Sequence, residues 1–303
     1  MKQFQLTLPA TSANLGPAFD TAALALNLSL RIRAVKAKEF GIKATGRDQQ
    51  ICGQVENHLI LTTYREILQA EVKPIVPLSL EIKNEFPIGK GCGSSAAARL
   101  AGIALAVHFG NLRWNTDRII GEAARRERHS DNAAACWMGG VTVSQMDKGE
   151  ALVARFVPKG KWPLLLAIPD ESLSTEKARE VLPRHYSRHD VITNIQHSML
   201  LLAALFQGDR KLLGCALSDR IHQPYRAALC PLLPALQDFP KEKGVLGAVL
   251  SGAGPSVLMF LDADTPTEKT ASRVANHLKQ KGMNAELVLT SIARKGGEAS
   301  FQK

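Results

Sequence analysis

Apolar and polar residues alternate along several short segments of the chain, as they do in strands that bury one face. Residues 24–35 show the clearest alternation, and residues 4–8 and 78–83 show it over shorter lengths. Elsewhere apolar residues recur three and four positions apart, which is typical of amphipathic helices. The two patterns together predict a first half that mixes strands with helices. Its helices are predicted at residues 56–70, 94–109 and 116–126.

The second half predicts a simpler order, namely a strand, several helices, two strands, a helix and a last strand. This order fits a ferredoxin-like sheet with additional helices in its first crossover. Residues 158–161 are the best candidate for a linker, so we expect an α+β protein with two closely packed domains, 1–160 and 161–303. A strand pair at 141–145 and 151–157 closes the first half. The later elements are predicted at residues 163–168, 175–182, 190–206, 211–220, 231–239, 245–250, 257–261, 267–281 and 285–292.

Composition narrows the class of protein. The chain has 303 residues, of which 45% are hydrophobic and 22% charged, as in an ordinary globular protein. No apolar run approaches the ~20 residues that span a bilayer. The N-terminus also lacks the apolar core of a signal peptide. We therefore expect a cytoplasmic protein without a membrane partner. The five cysteines include no C-x-x-C pair, so neither a zinc site nor a disulfide framework is expected.

The formal net charge of +10 indicates affinity for anions. Most basic residues are scattered, and aromatic residues do not interleave with them as they do on a surface that stacks nucleic-acid bases. We therefore expect no nucleic-acid partner. A nucleotide or an acidic metabolite explains the charge equally well.

A glycine-rich loop at residues 87–98 is the strongest chemical signal in the sequence. It follows a predicted strand, contains paired serines and leads into a predicted helix. Glycines allow the backbone to close on a ligand, and the first N–H groups of a helix attract an anion. Serine hydroxyls at this place suit a phosphate group or its magnesium ion. The loop is therefore predicted to bind an anionic ligand.

Two better-known glycine loops fit these residues poorly. The Walker loop requires Gly-Lys-Ser/Thr in sequence, whereas Lys90 precedes the last two glycines. The dinucleotide fingerprint G-x-G-x-x-A matches residues 91–96, but it should follow its strand directly and lead to an acidic residue after a second strand. Residues 84–90 intervene, and residues 111–115 do not resemble a strand. Both alternatives are disfavoured.

Three separated motifs resemble those of the GHMP kinases, in the usual order and across nearly the whole chain. They are residues 9–20, which we expect to form an irregular loop, the glycine loop at 87–98, and residues 250–256. The first motif is most similar to the homoserine kinase branch of this superfamily. Local matches to the same branch occur at residues 129–132, 175–179 and 222–226.

The chain departs from the family pattern in three places. Ala18 stands where glycine is usual, Cys92 where leucine is usual, and residues 134–135 where Ala-Pro is common. None of these changes removes a polar group. Ala18 would shift the first loop if that position required a positive φ.

The resemblance implies the two-domain GHMP kinase fold, with an N-terminal mixed α/β domain that carries the phosphate loop and a C-terminal ferredoxin-like domain. It also implies an enzyme that uses ATP and Mg²⁺ to phosphorylate the side-chain hydroxyl of a small molecule, L-homoserine. The product would be O-phospho-L-homoserine, in threonine biosynthesis. Two alternatives stay open: another GHMP small-molecule kinase, of mevalonate type, and a non-catalytic binding protein on the same fold. The sequence also leaves open whether the protein is a homodimer.

For the substrate, the resemblance implies that Arg179 and Arg226 hold the carboxylate in forked, charge-assisted hydrogen bonds. Asp20 would then pair with the ammonium group. The implied substrate-binding residues are Asn14, Asp20, His129, Arg179, Arg226 and Gly254. The implied catalytic residues are Asp131, Asn132 and Glu122, and Asp131 aligns with a carboxylate that serves as the base in some GHMP kinases. Direct attack by the hydroxyl is the alternative, because phosphoryl transfer depends mainly on positioning and charge stabilisation.

For the nucleotide and its metal, the resemblance implies a second group of residues. The implied ATP-binding residues are Asn57, Pro87, Gly89, Lys90, Gly91, Cys92, Gly93, Ser94 and Ser95. The implied magnesium ligands are a hydroxyl from Ser94 or Ser95 and the carboxylate of Glu122. Magnesium suits so small a set because it keeps several waters and takes phosphate oxygens as ligands.

Overall fold

The computed structural model describes residues 3–240 and 243–301, so the outermost ends of both predicted domains lie outside the described residues. The first half forms a six-stranded sheet in the order β3-β4-β2-β5-β6, with β1 paired to β2. Only β3 and β4 pair in parallel among these strands. The strands are β1 (Phe4–Ala13), β2 (Ala22–Lys36), β3 (Gly41–Gly46), β4 (Leu78–Asn84), β5 (Val141–Asp147) and β6 (Glu150–Phe156).

Five helices lie within the same half. They are α1 (Gln49–Cys52), α2 (Leu59–Ala70), α3 (Ser94–Phe109), α4 (Thr116–Glu127) and α5 (Asp131–Met138). Helix α3 is rich in alanine and almost fully buried from Ala96 onward, so it packs closely against α2, α4, α5 and β1. Gly102 allows that approach, since a Cβ there would lie 2.5 Å from the carbonyl oxygen of Ile60. The N-terminus of α3 is thereby held at a fixed place beside the first sheet.

The second half contains a four-stranded antiparallel sheet in the order β10-β7-β9-β8. A strand order of fourth, first, third, second along the chain is that of the ferredoxin-like fold, which confirms the predicted architecture. The strands are β7 (Pro163–Ile168), β8 (Val245–Leu250), β9 (Val257–Leu261) and β10 (Glu286–Ser291). The helices are α6 (Thr175–Glu180), α7 (Arg188–Gln207), α8 (Arg210–Ala216), α9 (Gln223–Arg226), α10 (Leu232–Gln237), α11 (Thr267–Gln280) and α12 (Glu298–Phe301).

Both faces of β7 are buried, which explains why its sequence reads as a continuous apolar run. Leu164 and Leu166 point into the main core, which also holds residues of the first sheet. Leu165 and Ala167 point into a second core, formed with residues of α10 and α11. The four-stranded sheet therefore joins the rest of the protein through one face.

The two sheets also touch through their backbones. Leu26 forms an isolated antiparallel bridge with Ile292. The backbone N–H of Ala293 donates to the carbonyl oxygen of Ala25, and the carbonyl oxygen of Ala293 accepts from the N–H of Gly140. The boundary expected at residues 160 and 161 stays a prediction. Within the described part of the chain, none of the helices combines the length and the apolar character that crossing a bilayer requires.

Several predicted boundaries need correction. Residues 9–13, expected to belong to an irregular loop, continue β1 and pair with β2 across a bulge between Pro9 and Ala10. Strand β3 and the short helix α1 were not predicted. Helix α8 ends at Ala216, four residues before the expected end. The extension of β1 matters for the site, because it places Thr11 beside the glycine loop and Ala13 beside Gly252.

Candidate active site

The three family-like motifs meet in space although they are far apart along the chain. The backbone N–H of Gly252 donates to the carbonyl oxygen of Ala13 at 3.1 Å. The hydroxyl of Ser251 donates to the carbonyl oxygen of Gly91 at 2.7 Å, and the amide of Asn14 donates to that of Gly252 at 2.8 Å. The three loops therefore form one hydrogen-bonded unit, with a cavity between them.

Gly93 brings the glycine loop into direct contact with β1. Its φ is +70°, and a Cβ at this position would lie 1.9 Å from the hydroxyl oxygen of Thr11. That hydroxyl donates to Oδ1 of Asn132 at 2.6 Å, which connects the loop to the start of α5. Helix α3 begins at the next residue, Ser94. Only glycine fits here, and the N-terminus of α3 consequently opens into the cavity.

The cavity collects most of the residues that the sequence nominated. All six candidate substrate residues line it: Asn14, Asp20, His129, Arg179, Arg226 and Gly254. Asp131 and Asn132 line it as well, together with Gly89, Gly91, Gly93, Ser94 and Ser95 of the glycine loop. Ala18 is buried without a positive φ, so the family's glycine is not required at that position.

Four candidate nucleotide residues do not line this cavity, and Asn57 is one of them. The ammonium group of Lys90 donates to the backbone carbonyls of Pro169 at 3.0 Å and Glu171 at 2.7 Å, and to that of Asp170. Lys90 therefore holds the loop that precedes α6. Cys92 is 1% exposed, and burial raises the pKa of its thiol to about 12, so its side chain belongs to the core. Pro87 is also buried.

The structure places Glu122 outside the cavity. Its carboxylate accepts hydrogen bonds from Arg125 at 2.7 Å and Arg126 at 2.8 Å. Glu127 lies in the cavity instead, where it accepts from the hydroxyl of Ser95 at 2.6 Å and pairs with Arg99. Five positions on a helix correspond to a rotation of about 140°, so the carboxylates of Glu122 and Glu127 point in different directions.

A buried carboxylate and a histidine flank the start of α5. Oδ1 of Asp131 accepts from Nδ1 of His129 at 2.7 Å and from the backbone N–H of Asn132 at 2.6 Å. Burial lowers the pKa of His129, but the hydrogen bond and the negative charge of Asp131 outweigh it and raise that pKa above its ordinary value. The pair thus favours a protonated imidazole beside Asp131.

Asp20 and Arg179 form a forked ion pair across the cavity. The two guanidinium nitrogens lie 2.8 and 2.7 Å from the two carboxylate oxygens. This hydrogen bonding raises the pKa of Arg179 despite its partial burial. The backbone N–H of Asp20 donates to Oδ1 of Asn14 at 2.9 Å, so Asn14 holds the loop that carries the carboxylate.

Arg226 is almost completely buried, with 1% of its surface exposed. Its Nε donates to the carbonyl oxygen of Ala178 at 2.8 Å, and one terminal nitrogen donates to Nδ1 of His222 at 3.1 Å. Burial and the nearby charge of Arg179 lower the pKa of Arg226 to about 10, so it remains a cation at neutral pH.

Sequence reasoning did not single out His222 or Phe19 as site residues. Burial lowers the pKa of His222 to about 4, and its Nε2–H donates to the carbonyl oxygen of Gly16 at 2.8 Å. The neutral ring therefore offers Nδ1 to Arg226. Phe19 stacks on His222 at 5.0 Å and lies between the two guanidinium groups, 5.5 Å from Arg179 and 5.2 Å from Arg226. Their positions in the sequence could have identified both residues. Phe19 directly precedes Asp20 in the first motif, and His222 begins the stretch that contains Arg226.

A second cavity, of about 400 Å³, lies on the other side of the glycine loop. Its walls are largely apolar and include Ile82, Phe86 and Ile88. Asn57 lines its rim and has a positive φ of 55°. Gly89, Ser94 and Ser95 line both cavities, so the N-terminus of α3 lies between an apolar space and a charged one.

Two family models match the chain. The model of the GHMP kinases N terminal domain matches residues 58–140, and the model of the GHMP kinases C terminal matches residues 201–284. The first match contains the glycine loop and the His129–Asp131 pair. The first match therefore lies in the first half of the fold, and the second match lies in the second half.

Whole-length relatives agree with these matches. The homoserine kinase of Solibacter usitatus is 40% identical over 97% of this chain and 96% of its own length. That of Deinococcus radiodurans is 33% identical over 95% and 94%. The crystal structure of homoserine kinase from Cytophaga hutchinsonii has the same fold, with a TM-score of 0.82 at 21% identity, covering 98% of this chain and 97% of that one. The chain belongs to the GHMP kinase superfamily and, within it, to the homoserine kinase family.

Proposed function

We propose that this protein transfers the γ-phosphoryl group of ATP to the side-chain hydroxyl of L-homoserine, giving O-phospho-L-homoserine for threonine biosynthesis. One observation supports this substrate above others: Arg179, Arg226 and Asp20 face the same cavity as the N-terminus of α3. Homoserine carries a carboxylate and an ammonium group that these charges can pair. The names of its full-length relatives point to the same reaction. The cytoplasm is proposed as its place of action.

The nucleotide is assigned to the glycine loop and the apolar cavity beside it. Backbone N–H groups at the start of α3 would bind the phosphates, because a helix N-terminus carries unpaired donors and a partial positive charge. The adenine ring would enter the apolar cavity near Asn57, which has room for a planar ring. This arrangement directs the γ-phosphate towards the charged cavity.

The residues present fit a magnesium ion that accompanies ATP. Ser95 and Glu127 already lie within hydrogen-bond distance of each other beside the helix N-terminus, and they offer oxygen ligands only. Magnesium typically takes one or two carboxylates and completes its shell with waters and phosphate oxygens. Ser95 and Glu127 would hold the ion, which would neutralise charge on the phosphates. The hydroxyl of Ser94 instead accepts from the N–H of Gly89 at 3.3 Å.

The proposed transfer is an in-line displacement. The hydroxyl oxygen of the substrate forms a bond to the γ-phosphorus, and the bond from that phosphorus to the bridging oxygen of ADP breaks. The hydroxyl proton passes to an oxygen of the transferred phosphoryl group. Phosphoryl transfer relies mostly on positioning and charge stabilisation. Arg179, Arg226 and Asp20 would position the acceptor, while His129 would stabilise charge from its place beside Asp131. We propose direct attack, without a dedicated base.

An Asp131→Asn variant tests direct attack. We expect kcat to fall less than about tenfold, because the amide still accepts a hydrogen bond from His129 and only the negative charge that favours the protonated imidazole is lost. A general base would instead contribute about 10²–10⁴-fold, so a loss of that size in kcat would assign the base to Asp131. Steady-state kinetics for both substrates separates the two mechanisms. Thermal unfolding of the variant shows whether the fold is intact.

A Glu127→Gln variant tests the metal assignment. Loss of this carboxylate should lower the affinity for magnesium at least as much as loss of an outer-shell partner does, which is about 10–100-fold. The measurement is the magnesium concentration that gives half-maximal turnover at fixed ATP. Glu122→Gln is the matched control, because Glu122 lies on the same helix outside the cavity and should leave that concentration unchanged. Equal magnesium dependence in both variants would contradict the assignment.

The substrate proposal itself is tested with a coupled ATPase assay on a panel of hydroxy compounds. Homoserine should give the highest kcat/KM, and mass spectrometry should identify the phosphorylated product. Turnover of mevalonate in preference to homoserine would contradict the proposed substrate, whereas the proposed kinase activity would be retained. The homodimer stays a prediction that sedimentation analysis can test.

A further inference from the structure

Asp20 and Arg179 bind each other through the same groups that the proposed substrate would bind. Both carboxylate oxygens and both terminal guanidinium nitrogens are used, at 2.7 and 2.8 Å. The two side chains are only about two-thirds buried, with 37% and 34% exposed, so the pair faces the cavity. When a ligand carboxylate approaches Arg179, both terminal guanidinium nitrogens are therefore already bonded to the carboxylate of Asp20.

Arg226 differs from Arg179 in this respect. Its two hydrogen-bond partners, the carbonyl oxygen of Ala178 and Nδ1 of His222, are both neutral. Its positive charge is thus available to a ligand without displacing a carboxylate. The other charged groups that face the cavity are paired, His129 with Asp131 and Glu127 with Arg99.

We propose that Asp20 is an internal competitor for Arg179, so that a ligand carboxylate gains Arg179 only when the same ligand brings an ammonium group to Asp20. The proposal rests on the function proposed above and adds the determinant of its specificity. It makes recognition of the two ligand charges cooperative. The substrate class that follows is an α-amino acid with a side-chain hydroxyl, in preference to a hydroxy acid.

Counting ion pairs gives the physical basis. A zwitterion replaces the one internal pair by two, Arg179 with its carboxylate and Asp20 with its ammonium group. A ligand with a carboxylate alone must either leave Asp20 unpaired in a partly buried site, which is unfavourable, or bind Arg226 only. Such a ligand therefore binds through one arginine, although the cavity contains two.

An Asp20→Asn variant separates this role from a simple contact to the ammonium group. Asn keeps the size of the side chain and tolerates the left-handed backbone at this position, where φ is +52°. Removing the competing charge frees the fork of Arg179. We expect the affinity for 4-hydroxybutyrate to rise by about tenfold or more, as one charge-assisted hydrogen bond is gained. The affinity for homoserine should fall.

Isothermal titration calorimetry with each compound, at saturating non-hydrolysable ATP analogue, measures both effects. The gain for 4-hydroxybutyrate should disappear when Arg179→Gln is added to Asp20→Asn, because the gain depends on the freed fork. Asp262→Asn is the matched control: it breaks the Arg210–Asp262 pair, whose side chains are 34% and 35% exposed, and should change neither affinity.

An affinity for 4-hydroxybutyrate that is unchanged or lower in Asp20→Asn would overturn the proposal, since the freed fork of Arg179 must add affinity for this ligand. A gain that persists in the double variant would overturn it too. Failure of the wild-type protein to phosphorylate homoserine would instead refute the proposed function. That result comes from the turnover assay and is distinguishable from the calorimetry.

Discussion

A Gly93→Ala variant is expected to bind ATP at least about 100-fold more weakly than the wild-type protein. The added Cβ meets the hydroxyl oxygen of Thr11 at 1.9 Å, and the backbone φ of +70° is unfavourable for any residue with a Cβ. The loop must move to relieve the contact, and its N–H groups then leave the phosphates. Losing two charge-assisted hydrogen bonds accounts for a factor of about 100 or more. Calorimetry with a non-hydrolysable ATP analogue measures it.

Gly282→Ala is the control for this experiment. Gly282 has the same φ of +70°, but a Cβ there would have no neighbour within 4 Å. The Gly282→Ala substitution therefore introduces the same backbone strain without a steric clash, at a position far from the glycine loop in sequence. We expect its ATP affinity to match the wild type. An unchanged affinity in a folded Gly93→Ala protein would show that the loop does not bind the phosphates.

The ferredoxin-like half was predictable from the sequence because its strands carry local signals. β7, β8 and β9 have the predicted bounds, since each is a short apolar run between proline- or glycine-containing turns. The element predicted from residue 175 is a helix that Ser174 caps, because its hydroxyl accepts from the N–H of Lys177 at 3.2 Å. Where neighbours along the chain decide the structure, periodicity and capping are sufficient.

The first sheet was harder to predict because its pairing is non-local. β3 lies at the edge of the sheet with half-exposed residues, so it lacks a regular apolar face. The end of β1 consists of small and polar residues, which are typical of a loop. It is nevertheless a strand, because residues 10–13 pair with residues 23–26 of β2 beyond the bulge.

The motifs predicted which loops form the site, but not which way each side chain points. Lys90 belongs to the glycine loop, yet it binds the carbonyls of residues 169–171. Glu122 and Glu127 lie on one helix, and only the direction of each decides which enters the cavity. The family resemblance likewise implied that Asp20 and Arg179 bind opposite ends of a ligand, and nothing in the sequence indicated that they pair with each other. Such relations depend on three-dimensional distances between residues distant in sequence.

An Arg226→Ala variant is expected to raise the KM for homoserine by about 100- to 1,000-fold, which lies within the loss of about 2–5 kcal/mol typical of truncating one side of a desolvated charge pair. Among the described residues, both hydrogen-bond partners of Arg226 are neutral, so a ligand carboxylate can pair with its charge without displacing another carboxylate. The KM for ATP should stay within about twofold, because Arg226 lines the charged cavity and not the apolar one. Steady-state kinetics with each substrate varied in turn measures both values.

Two further variants decide whether this effect belongs to the guanidinium group or to the fold. Arg226→Ala leaves Nδ1 of His222 without its donor, at a stability cost of about 1–3 kcal/mol, so thermal unfolding must confirm that the variant is folded at the assay temperature. Arg226→Lys keeps the positive charge but loses the forked guanidinium group. Its KM for homoserine should lie between those of the wild type and of Arg226→Ala. Arg220→Ala removes an exposed arginine nearby and should behave as wild type. A rise in the KM for ATP equal to that for homoserine would mean that Arg226 supports the fold rather than the carboxylate.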